Sequence, residues 1–210
     1  TGDCFQKTGS IIKEEVSLSS FDKIQVNRDI ELIIKEGAVQ KVVIETGENL
    51  LNDVETNVVD GKLTLTDNNT CNYMRNYGIT KVYVTAPNIK EIRSSTQYDV
   101  RSEGVLTYPT LTVLAEDFGL PGSITSGNFI LEIDNNSFSL VFNNLSNCFI
   151  SGKTNNLNIA FASGTSRFEG QNLMAQNVQL WNRSSNDIIV NSQLSIKGKI
   201  SGVGNVVSYT

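Results

Sequence analysis

Histidine is missing altogether from this 210-residue chain. That removes zinc sites built from Cys and His, and it removes the base on which Ser–His–Asp catalysis depends. Cysteine is scarce and unpatterned: Cys4, Cys71 and Cys148 show no C-x-x-C spacing. No apolar run approaches the roughly 20 residues that span a bilayer as a helix, so the chain is not expected to be transmembrane. Basic charge is short as well. With a net charge of -5 and a pI near 4.8, little is available to neutralise a phosphate backbone, and nucleic acid is not an expected partner. Helical periodicity is absent almost throughout; only ENLLNDV (48–54) reads as one short helical turn. An ordinary domain is about a third helix, so the lack is informative: the fold is all-β. No metal or cofactor is expected.

What is present comes in two styles. Residues 1–110 carry 28 Asp, Glu, Lys and Arg and residues 111–210 only 11, while Asn and Ser make up 29 of those last 100 residues. The first region, 1–110, alternates apolar and polar residues in KIQV (23–26), IELII (30–34), KVVIE (41–45), KLTLT (62–66) and KVYVT (81–85). Period two is the mark of half-buried strands. Asp60-Gly61 marks a tight turn before one of them. No flexible linker separates this region from 111–210, so one continuous scaffold is expected.

Region 111–210 repeats itself. A shift of 19 superposes Leu140 on Ile159, Phe142 on Phe161 and Phe149 on Phe168. A further 19 takes Ile159 to Val178 and Phe161 to Leu180, and 20 takes Phe168 to Ile188. Another 18 takes Val178 to Ile196 and Ile188 to Val206, while Leu111/Val113 and Phe129/Leu131 resemble weaker earlier copies 18 apart. Coils of 18–20 residues with two short strands each bury apolar residues by stacking on their equivalents. Asn143-Asn144, Ser163-Gly164, Ser184-Ser185-Asn186 and Ser201-Gly202 would turn the corners, and stacked Asn side chains would pair amide to amide. The reading is a right-handed β-helix or β-solenoid; a β-sandwich is the alternative, since its turns recur at a similar spacing.

Candidate functional residues are few. Glu132 and Asp134 lie two apart and share a strand face; they fit either an acid–base or calcium pair or a solvated strand end. Trp181 and Arg183 join an aromatic face to a donor fork, a combination sugar binding uses, although a lone Trp beside a strand also packs. Tyr73, Arg75 and Tyr77 crowd the turn-rich segment CNYMRNYG (71–78), which fits either an interaction loop or a cover folded over one end of the core. Cys4 and Cys71 could form a disulfide in an oxidising compartment or remain thiols; Cys148, in an apolar strand context, reads as core. Within NLNIAFASGTSRFEG (156–170), Ile159, Phe161 and Phe168 should face the core, with Arg167 and Glu169 pointing outward.

Three runs, FDKIQVNRDIELIIKEG, VVIETGENLLNDVETNVVDGKLTL and KVYVTAPNIKEI, together resemble the bacterial head GIN domains, the heads ascribed to auto-transporter adhesins. Phe21 opens the first strand, Leu50-Leu51 forms a step, Val59 to Leu65 holds the Asp-Gly turn, and Val82 to Ile92 carries the Pro step. The resemblance runs from about residue 16 to the end. It implies a β-helix-like architecture in an exported protein of Bacteroidetes-like bacteria, often a lipoprotein anchored through an acylated Cys upstream of such a segment. The chain opens on Thr1 and is expected to be a processed or trimmed form. Cys4 is preceded by Asp3 where a lipidated Cys would follow a small residue, so it is read as internal, which favours the Cys4–Cys71 pairing. The family brings no catalytic residues, and its adhesin label is itself inferred. The expected function is a non-enzymatic cell-envelope protein, at the outer-membrane surface or in the periplasm, that engages a surface glycan or another envelope protein. A carbohydrate-active enzyme and a passive envelope scaffold are the alternatives.

Overall fold

The computed structural model describes residues 7–69 and 80–209. Its strands are β1 (Ile11–Val16), β2 (Lys23–Asn27), β3 (Ile30–Glu36), β4 (Lys41–Gly47), β5 (Val54–Val59), β6 (Lys62–Asp67), β7 (Thr80–Ala86), β8 (Glu91–Ser95), β9 (Val100–Leu106), β10 (Thr110–Ala115), β11 (Phe129–Phe142), β12 (Cys148–Phe161), β13 (Phe168–Asn182), β14 (Ile188–Ile200) and β15 (Val206–Tyr209). All fifteen join one hydrogen-bonded network. The five alternating runs of the first region are β2, β3, β4, β6 and β7, and the short helical turn is a 3-10 turn at Leu51–Asp53. Asp60 and Gly61, with φ of 49° and 72°, make the two-residue turn between antiparallel β5 and β6. Both central residues need positive φ there, which Asp tolerates and Gly favours.

Strand β11 explains how the network folds over. Phe129, Leu131 and Ile133 are buried along its first stretch, and Phe138, Leu140 and Phe142 along its second. Buried positions thus switch from odd to even numbers across Asp134–Ser137, where the chain turns a corner. The first stretch pairs with β9 and the second with β10. Two arms result. One runs β1, β4, β7, β3, β9 and then the first stretches of β11 to β14, ending on β15; the other runs β5, β6, β2, β8, β10 and then the second stretches. From β10 to β15 every pairing is parallel, as stacked coils require and an antiparallel sandwich does not.

The core lies between the arms as ladders of equivalent residues. Leu63, Ile24, Ile92, Val113, Leu140, Ile159 and Leu180 succeed one another across the second arm, each nearly or fully buried. Phe129 and Phe142 stack within one coil at 5.4 Å between ring centroids, and Phe142 stacks on Phe161 of the next at 5.9 Å. Offset stacking adds roughly 0.5–1.5 kcal/mol per pair beyond area burial. The Asn ladder is present at the corners: Asn147 donates to the Asn128 side chain at 3.1 Å and Asn155 to that of Asn136 at 3.1 Å.

Parts of the sequence register need correction. Leu140 does stack on Ile159 and Phe142 on Phe161, but Cys148, not Phe149, is in register with Phe168, and Phe149 points outward. The loop 162–167 is one residue longer than 143–147, and a bulge near Gly170 adds one more. Ile159 therefore meets Leu180, and Val178 meets Leu157, an offset of 21. Val178–Ile196, Phe168–Ile188 and Ile188–Val206 are paired as expected. Leu111 and Val113 are not early copies of Phe129 and Leu131; they pair with Phe138 and Leu140.

Candidate functional site

The corrected register assembles a feature that the sequence does not display. On the outer face of the second arm, residues one step from each core ladder lie side by side across the strands, at a spacing of about 4.8 Å. One row is polar and uncharged: Thr112, Ser139, Asn158 and Gln179. The neighbouring row is apolar: Leu114, Val141, Ala160 and Trp181. Trp181 is the largest member and follows the small Ala160, so its indole forms a step above a low floor. A groove of about 250 Å³ lies there, lined by Ser139, Val141, Asn158, Ala160, Gln179 and Trp181 among others. Trp181 is 38% exposed, so part of its indole stays open to solvent beside the groove.

Arg183 follows Trp181 by two residues and reaches back over it, its guanidinium carbon 5.5 Å from the ring centroid. At that distance the guanidinium is in cation–π contact with the indole. Asn158 donates to the Ser139 hydroxyl at 3.2 Å, which orients part of the polar row. The arrangement offers an apolar face beside a line of hydroxyl and amide groups. That matches a sugar ring, whose C–H face stacks on an aromatic while its hydroxyls exchange hydrogen bonds. Other hollows of about 380, 410 and 530 Å³ are larger, but none has an aromatic side chain in its lining. Chemistry rather than volume distinguishes the groove at Trp181.

The remaining sequence candidates fall elsewhere. Glu132 and Asp134 both point outward, on the first arm and its corner, and Asp134 pairs with Lys153 at 3.2 Å. No group of three or more metal-ligating side chains occurs among the described residues. Arg167 and Glu169 are not a free outward pair. Arg167 bonds Glu169, reaches Asp187 at 3.2 Å and donates to Asn186 at 3.0 Å, clamping one coil to the next. The hydrogen bond to Glu169 is the main reason the guanidinium stays protonated above its ordinary range. Asp187 is held below the ordinary carboxylate range, first by hydrogen bonds from the backbone and side chain of Asn205 and then by Arg167. Cys148 is fully buried, and desolvation pushes its thiol well up. Cys4, Cys71, Tyr73, Arg75 and Tyr77 lie outside the described residues.

Ser139, Val141, Asn158, Ala160 and Gln179 carry no motif. Only the alternation of faces, taken with the true offset of 21 between β12 and β13, brings them beside Trp181. An offset of 19 would set Ala162 there instead.

The family model described as "Putative auto-transporter adhesin, head GIN domain" matches residues 20–210. Among solved structures, one described as a "putative adhesin" from Bacteroides fragilis superposes with a TM-score of 0.81 at 17% identity, covering 95% of this chain and 97% of that one. A second, a "putative adhesin" from Parabacteroides merdae, gives 0.55 at 15% identity over 96% and 97% of the two chains. A third, described as a "putative lipid binding protein" from Parabacteroides distasonis, gives 0.53 at 13% identity over 95% and 94%. At these identities the likeness is one of fold. No curated protein matches the chain.

Proposed function

The chain belongs to the head GIN domain family, and from that premise we propose that it is an exported cell-envelope protein that binds a glycan without turning it over. The observation that carries this reading is the outer-face groove in which Trp181, in contact with Arg183, adjoins the uncharged row Ser139, Asn158 and Gln179. The adhesin descriptions of the family and of the similar Bacteroides fragilis structure support a role at the cell surface. A stiff scaffold of stacked coils suits that role, because it offers its ligand a preformed surface. An enzyme reading draws less support: Glu132 and Asp134 sit on the first arm and its corner, away from the groove, and Asp134 is engaged by Lys153. Anchoring through a lipidated Cys upstream of this segment is part of the same proposal.

The test is binding of the purified protein to an array of bacterial and host polysaccharides, repeated with Trp181→Ala. Retention on a subset of glycans that the variant loses supports the reading. Retention unchanged by the substitution, or release of reducing ends during incubation, overturns it.

A further inference from the structure

Charge is distributed unevenly around the Trp181 groove. Lys197 lies beside Gln179 and Lys199 beside Trp181 on the next strand, both on the outer face, and Arg183 caps the indole. Among the described residues no carboxylate forms an ion pair with any of the three; Asp187 and Glu169 are engaged with Arg167, and Asp134 with Lys153. The chain as a whole carries a net charge of -5. Three uncompensated cations around one aromatic step are therefore a local inversion of the overall charge. Like charges on adjacent positions repel one another, and an anion spanning them relieves that repulsion.

We propose that the ligand of this groove is an acidic polysaccharide, carrying carboxylate or sulfate groups, with one sugar ring on Trp181 and its anionic substituents toward Arg183, Lys197 and Lys199. The proposal rests on the glycan reading above and adds the charge of the ligand to it. An acidic saccharide fits better than a bare anionic headgroup, because the uncharged row Ser139, Asn158 and Gln179 and the apolar floor at Val141 and Ala160 continue beyond the cations. Those positions have hydroxyls and C–H faces to meet in a saccharide, and nothing to meet in a lone phosphate. Guanidinium and ammonium groups at an exposed rim add selectivity and encounter rate through their field.

The experiment compares one uronic-acid polysaccharide with its carboxyl-reduced, neutral counterpart, against wild type, the double variant Lys197→Gln/Lys199→Gln and Trp181→Ala. Vesicles of anionic phospholipid serve as a further arm. The expected result is roughly tenfold tighter binding of the acidic form, a preference that the double variant and high salt both remove, given that exposed charge pairs contribute modestly each and are screened. Trp181→Ala should weaken both forms. Equal binding of acidic and neutral forms by wild type overturns the charge assignment and leaves the glycan reading standing. Binding to vesicles with neither polysaccharide retained overturns both.

Discussion

The guanidinium of Arg183 lies over the ring of Trp181, 5.5 Å from its centroid, on the outer face of a coil whose inner face carries Val178 and Leu180. The two sides of this strand do different work. Inward residues hold coil to coil, and outward residues present a surface. Substitutions on the two sides should separate stability from binding.

Phe161→Ala removes a fully buried ring that stacks on Phe142. Large-to-small changes at such sites cost about 3–5 kcal/mol. Trp181→Ala, on the exposed side of the neighbouring coil, should cost less than about 1 kcal/mol. Urea melts followed by circular dichroism check both, with Phe161→Ala shifting the midpoint far more than Trp181→Ala.

Two glycines make a sharper pair. Gly152 and Gly104 both have positive φ, 104° and 81°. A Cβ on Gly152 would meet the Ile133 carbonyl oxygen at 2.0 Å, whereas one on Gly104 meets nothing within 4 Å. Gly104→Ala should cost about 1–2 kcal/mol from backbone strain alone, and Gly152→Ala distinctly more, because the coils must part. Thermal melts of the two variants decide it; equal losses would mean that stacking at this corner is not tight.

Acid should loosen the last coils through Asp187. Its folded pKa is depressed, mainly by the Asn205 hydrogen bonds, so its contribution is complete above the ordinary carboxylate range, near pH 4. That contribution is lost as pH falls through the lowered folded value. Asp187→Asn should melt earlier than wild type at neutral pH, and the two curves should converge in strong acid. A gap in Tm that persists unchanged to low pH would contradict the assignment.

Cys148 reports on the core directly. Buried and held neutral by desolvation, it should resist alkylation in the native protein and react once the coils open in denaturant. Peptide mapping by mass spectrometry distinguishes it from Cys4 and Cys71; rapid native labelling at Cys148 would place it outside the stack.

Much of the fold was legible because its signals are local. Alternation in KIQV and KVYVT marks strands wherever they pair, and Asp60-Gly61 marks its turn through backbone sterics alone. The stacking of Phe142 on Phe161 was legible too, because β11 and β12 have equal lengths and corners. Register failed where the coil length changed, at the longer loop 162–167 and the bulge near Gly170. One added residue moves every side chain by a rung, so Phe149 was exchanged with Cys148. Arg167 and Glu169 do flank the buried Phe168 on its outward side, as alternation implies, but alternation cannot reveal that Asp187 waits on the next coil. At the site, Trp181 near the end of β13 and Arg183 just past it were visible as a pair two residues apart. Ser139, Asn158 and Gln179 were not, since their adjacency depends on the offsets between three coils.

The central claim is that a glycan rests on Trp181. The chain contains no other tryptophan, so its indole fluorescence is a reporter confined to the proposed site. Titration with the acidic polysaccharide that the protein retains should shift and saturate that emission, and should shield the indole from a neutral collisional quencher, with Lys197→Gln/Lys199→Gln displacing the curve to higher concentration. Saturable binding measured by calorimetry on the same sample, with the emission and quenching of Trp181 unchanged, would contradict the account.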